Sequence, residues 1–132
     1  MPSVLLAVDK DESRARSQAK TVTELFDTAE TEVEIVHVFE ENPEGASAQQ
    51  IGAVRRAREL LTNAGIETTV MSESGDPTEG ILSRARAIDA DAIAIAGRKR
   101  SPAGKMVFGS VTQDVILSTE RSVLVCKPAD GA

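Results

Sequence analysis

The sequence predicts an α/β domain built on a mostly parallel sheet with helices on both faces, and three observations carry that prediction. Apolar runs of strand length alternate with segments whose apolar residues recur every three or four positions. The runs are almost wholly apolar, as in strands covered on both sides. Strands and helices follow one another singly, which suits parallel strands joined by helical crossovers. The 132 residues read as one domain over 1–132, long enough to bury a core without disulfides or a metal.

The first strand is Ser3 to Val8, ending on Asp9. Ala15, Ala19, Val22, Phe26 and Ala29 then follow helical spacing after the polar turn Asp9 to Ser13. Val33 to Phe39 is a second strand, rich in β-branched residues. Glu40 to Ser47, with Pro43 and Gly45, reads as a loop. Ile51, Val54, Ala57, Leu61 and Ala64 mark the next helix, and Gly65 sits where a left-handed cap is expected. A third strand, Ile66 to Met71, follows.

Gly75 to Glu79 is a helix start, with Asp76 to cap, Pro77 in the first turn and Glu79 to close a capping box. That helix presents Ile81, Ala85 and Ile88. The fourth strand is Asp91 to Gly97, followed by the irregular stretch Arg98 to Met106. Val111 to Thr119 and Ser122 to Lys127 supply the last helix and strand. Ligands of such sheets sit beyond the carboxyl ends of the strands, which directs attention to Asp9 to Ser13, Val38 to Glu41 and Gly97 to Ser110.

Composition narrows the function. The net charge of −6 argues against general nucleic-acid binding, because a polyanion would be repelled by most of the surface. With three Phe and no Trp or Tyr, base-stacking platforms are scarce and the core is aliphatic. No apolar run approaches a membrane span, and the opening MPSVLLAVD lacks the marks of an export signal, so the expected location is cytoplasmic. Ten Arg against five Lys on an acidic chain suits a salt-loving host and is equally ordinary in a mesophile. Cys126, the single cysteine, reads as a strand residue, and no His or Cys cluster suggests a transition-metal site.

One segment departs from the acidic background. From Ala92 to Gln113 there is no acidic residue, and Arg98, Lys99, Arg100 and Lys105 give this window a charge of +4, so the rest of the chain carries −10. A basic island directly after a strand is a candidate anion site. Gly104 and Gly109 let backbone approach a ligand, and Gly109-Ser110 leads into a helix whose first N–H groups and dipole favour a phosphate. The plainer reading of Ser110 with Gln113 is a capping box. No Walker-A pattern is present, since Met106 follows Gly104-Lys105.

The order of elements, Val8-Asp9 after the first strand, His37-Val38 in the second and Gly97…Gly109-Ser110-Val111 after the fourth resemble the universal stress protein family over Ser3 to Pro128. The resemblance implies a Rossmann-like five-stranded parallel sheet of order 3-2-1-4-5 that binds ATP or AMP, with or without Mg²⁺. Nucleotide-binding members show Gly, two residues, Gly, nine residues, then Gly and Ser or Thr. Here Arg100 stands in place of the second glycine and the loop is one residue shorter. By the same resemblance Asp9 lies near the ribose or adenine, Ala7 and Val8 line the base pocket, and Val38 contacts the adenine. By the family pattern Gly97, Gly109, Ser110 and Val111 are the expected phosphate-loop residues; Arg98, Arg100 and Gly104 join them as candidates from the basic island, Gly104 off the family glycine's position and Arg100 either pairing with phosphate or filling its space. A homodimer through Ser122 to Lys127 is also implied.

Each position has a plainer role. Val8 and Val38 are core in any strand, Asp9 is a candidate helix cap, and His37 reads as a hydrogen-bonded core residue. Three functions follow: a nucleotide-dependent stress or signalling module, an interaction protein that binds no nucleotide because of Arg100, and a weak ATPase using Ser110, Asp9 and Asp11 as oxygen ligands.

Overall fold

The computed structural model describes residues 1–41, 45–100 and 104–128, with backbone only at 99, 100 and 106. Pro43 of the expected loop lies outside the described residues. In chain order the elements are β1 (Ser3–Ala7), α1 (Glu12–Leu25), β2 (Glu32–Phe39), a 3₁₀ turn (Ala48–Gln50), α2 (Gly52–Asn63) and β3 (Glu67–Ser74). Then come α3 (Pro77–Ala87), β4 (Ala92–Ala96), β5 (Lys99–Arg100), β6 (Met106–Val107), α4 (Ser110–Ser118) and β7 (Ser122–Cys126).

The main sheet is parallel throughout, in the order β3-β2-β1-β4-β7. With the small β5-β6 ribbon set aside, this is 3-2-1-4-5. The ribbon is an addition to the expected irregular stretch: Lys99 pairs with Val107 and Arg100 with Met106, antiparallel. β3 also runs to Ser74, beyond the expected Met71, because Ser72 to Ser74 pair with His37 to Phe39.

The near-continuous apolar runs become strands buried on both faces. Val4, Leu6, Val33 and Ile35 meet Ala15, Ala19 and Val22 of α1 and Val54, Ala57 and Leu61 of α2. Leu5, Val36, Ile93 and Ile95 point the other way, onto Ile81, Leu82 and Ala85 of α3 and Val115 of α4. Small alanines on α1 and α2 keep the helices close to the sheet. Gly65 takes φ +91 after α2, where an L side chain is strained. Asp76 accepts from the Glu79 N–H at 3.0 Å and Pro77 opens α3.

Cys126 ends β7 with 1% of its surface exposed. Burial pushes its thiol up to about 12, from an ordinary value of 9.0. The native protein should therefore resist iodoacetamide at mildly alkaline pH and become alkylated once unfolded. The raised folded value means this thiol's contribution to stability is complete below the unfolded value and declines as pH rises past it. Rapid alkylation of folded protein would show that β7 opens.

Candidate functional site

β1 connects through α1 to β2 on one side, while α3 later carries the chain back past β1 to β4 on the other. The sheet order therefore reverses between β1 and β4, where open α/β sheets hold their ligands. A cleft of about 1080 Å³ opens at that point. Pro77 and Ile81 of α3 form one wall with Val38, and Arg98, Gly109 and Val111 form another.

The β1 side is built from charge. Asp11, rather than Asp9, caps α1, accepting from the Arg14 N–H at 3.0 Å. That backbone bond is the largest influence holding the Asp11 carboxyl below its ordinary range. Asp9 instead accepts from the Asp11 N–H at 2.8 Å and from Arg14 Nη1 at 2.6 Å. Arg14 also reaches Asp11 at 3.3 Å, so both carboxylates are held by one guanidinium. Sequence reasoning missed Arg14, although its place one turn after Asp9 and Asp11 was a usable signal.

His37 is core, as its sequence context suggests: 4% exposed, with Nδ1 donating to the Val8 carbonyl at 2.7 Å. A carbonyl only accepts, so the proton lies on Nδ1. Phe39 meets the ring edge-on at 4.6 Å. Gln18 similarly donates to the Ala7 carbonyl at 2.7 Å, and together these bonds hold the end of β1. Val8 N–H donates to the Val36 carbonyl at 3.0 Å. Alternate strand residues turn their backbone groups to the same edge, so Val38 directs its N–H and C=O toward the space beyond β1.

The opposite wall is positioned by backbone. Gly97 N–H donates to the Cys126 carbonyl at 2.9 Å and Arg98 N–H to the Val107 carbonyl at 2.8 Å, so the chain leaving β4 is held from two sides. Thr112 ties α4 to the Ala96 carbonyl at 3.2 Å. The Arg98 guanidinium lies against Gly109: a Cβ added there would stand 2.7 Å from Nε and 2.9 Å from Nη2. Gly109 has φ −79, so its backbone does not need a glycine; the neighbouring arginine does. Among the described residues no carboxylate lies within ion-pair distance of Arg98.

Ser110 corrects the capping-box reading. It is the first residue of α4, exposed, and Gly109 holds the N-cap position with no side-chain bond to the helix. Gln113 reaches only the Phe108 carbonyl, at 3.5 Å. The helix thus begins with backbone donors that no cap side chain satisfies.

Of the positions singled out from sequence, Ala7, Val8, Asp9, Val38, Arg98, Gly109 and Val111 line the cleft. Gly97 is buried behind it, while Gly104 is exposed with φ +82 and Ser110 faces solvent; none of the three lines it. The Arg100 side chain lies outside the described atoms.

Comparison with known proteins agrees with this architecture. Residues 1–127 match the model of the universal stress protein family. The chain belongs to that family. A universal stress protein of Mycolicibacterium smegmatis is 33% identical over 78 residues, which are 58% of this chain and 60% of that relative's length. The universal stress protein of Archaeoglobus fulgidus is 30% identical with a TM-score of 0.77, covering 96% of this chain and 99% of that one. A universal stress protein from the same organism, solved in complex with dAMP, is 25% identical with a TM-score of 0.73, covering 96% and 98%. No helix among the described residues is long and apolar enough to cross a membrane.

Proposed function

We propose that this universal stress protein binds an adenine nucleotide, ATP or AMP, in the cleft between β1 and β4, and acts in the cytoplasm as a stress or signalling module whose partner choice follows occupancy. The observation that carries this reading is the polarity of the cleft. At one end Val38 turns a backbone donor and acceptor toward the space beyond β1, matching the ring nitrogen and amino group of adenine. At the other, Arg98 and the uncapped start of α4 meet across Gly109, and an anion between them satisfies both. Asp9, held by Arg14, also lines the cleft and would accept from ribose hydroxyls. The dAMP-bound relative supports the ligand class.

Mass spectrometry of protein purified without added nucleotide and then denatured tests the proposal. Copurified ATP or AMP is the expected result. The second reading, an interaction protein without nucleotide, is favoured by the guanidinium already resting on Gly109, and it requires the purified chain to be empty and to stay empty on addition of ATP.

The reading includes a homodimer through β7. Among the described residues this edge strand pairs with β4 alone and carries the apolar, half-buried Val123, Leu124 and Val125. The other edge, β3, alternates exposed Glu67, Thr69 and Ser72 with half-buried residues. Light scattering should give twice the chain mass at micromolar concentration; a monomer at moderate salt contradicts the assignment.

A further inference from the structure

Gly80 lies in the interior of α3, where glycine is a poorer helix former than every residue except proline. It has no turn to make and no positive φ to adopt. Its position is explained by what a side chain would meet. A Cβ on Gly80 would stand 2.8 Å from Val38 Cγ2, 3.1 Å from Cγ1 and 3.3 Å from the Glu73 Cβ. The contrast with Gly109 is informative, because there the obstructing atoms end a long arginine that can swing aside. Val38 is β-branched and short, on a strand paired at that point with Glu73 of β3, and cannot yield without moving backbone or leaving its rotamer.

The residues around Gly80 on the same helix face the cleft. Pro77 and Ile81 form its α3 wall, and Val38 lies beside them. The distance between helix and strand at Gly80 therefore sets the distance between these lining groups. We infer that Gly80 is a positioning residue for the base end of the cleft: it seats α3 directly on Val38 and so fixes a gap suited to a flat base. This rests on the nucleotide reading above, and deepens it by assigning base fit to a residue that touches no ligand.

The test is a double-mutant cycle with AMP as the titrant, comparing wild type, Gly80→Ala, Val38→Ala and the double variant, each with its unfolding midpoint. Gly80→Ala should weaken AMP binding by about tenfold, the scale of one misplaced methyl group in a fitted pocket. In the Val38→Ala background, where the two closest obstructions are gone and only the Glu73 Cβ at 3.3 Å remains, the same substitution should lose most of its effect on affinity. If Gly80→Ala alone does not fold, that second pair still decides, and a tenfold gap within it overturns the inference. A merely structural role would lower the unfolding midpoint and leave the affinity of folded protein untouched, which also overturns it. Failure of wild type to bind any adenine nucleotide overturns the functional reading, and the inference with it. Binding by wild type with equal affinity in Gly80→Ala overturns the inference alone.

Discussion

Arg98→Ala is expected to weaken ATP binding roughly tenfold to a hundredfold, the equivalent of about 1.5–3 kcal/mol for charge-assisted hydrogen bonds to phosphate. The guanidinium lines the cleft, has no carboxylate partner among the described residues, and lies at the end of α4 where the dipole disfavours a cation. Both features are relieved by one bound anion. Gly109→Val should produce a comparable loss by displacing the guanidinium and filling the approach to the α4 N–H groups. Its fold should survive, because φ −79 is open to any L residue and the displaced atoms end a flexible side chain. Calorimetry with ATP and AMP at two salt concentrations, alongside thermal unfolding, checks both variants. The wild-type advantage should shrink as salt rises. Unchanged affinity in both would remove this end of the cleft from ligand binding.

The second large effect concerns stability. Glu34 of β2 accepts two bonds from Arg84 of α3, at 2.9 Å from Nε and 2.8 Å from Nη2, and is 8% exposed. The hydrogen bonds that Arg84 donates to Glu34 are the main influence raising the Arg84 value further, so this side chain remains charged at every pH the fold experiences. Arg84→Ala leaves a carboxylate buried in the sheet without its partner. It should cost about 3 kcal/mol, the low end for a broken buried pair because the Arg84 side chain keeps 19% exposure. For a domain of this size that lowers the melting temperature by about 10 °C. Replacing both by apolar residues, Glu34→Leu with Arg84→Met, should restore most of the loss. A single variant that melts with wild type would show the pair to be solvent-screened. Because α3 carries Pro77 and Ile81, loosening this tie should also weaken the ligand, though less than Arg98→Ala does.

Much of the fold was legible because burial on both faces leaves a plain trace: Val4 to Val8 and Ala92 to Ala96 have no polar residue to misplace. Gly65 and Asp76-Pro77 marked helix ends through local chemistry that needs no tertiary context. The departures come where context decides. Ser72 to Ser74 carry no strand signal and join β3 only through pairing with His37 to Phe39. Lys99 and Arg100 form a ribbon through bonds to the chain at Met106 and Val107.

The site was legible in part, for the same reason. Val8, Asp9, Val38 and Gly109 could be named from sequence because they end strands or open a helix at the switch point. Arg14 lay within reach of a local reading, five positions after Asp9 and three after Asp11, and was passed over. That Arg98 faces Gly109 could not be read from spacing alone, since it depends on how the chain leaves β4. Gly80 gave no sign at all: its meaning lies wholly in Val38, forty-two positions earlier in the sequence.

The most direct measurement is titration of the wild-type chain, freed of any copurified ligand, with ATP and AMP against GTP as the control. Saturable binding of the adenine nucleotides at one site per chain, with GTP much weaker, is the predicted result. An absence of binding by ATP and AMP at millimolar concentration, or equal binding of GTP, would contradict the account of the cleft.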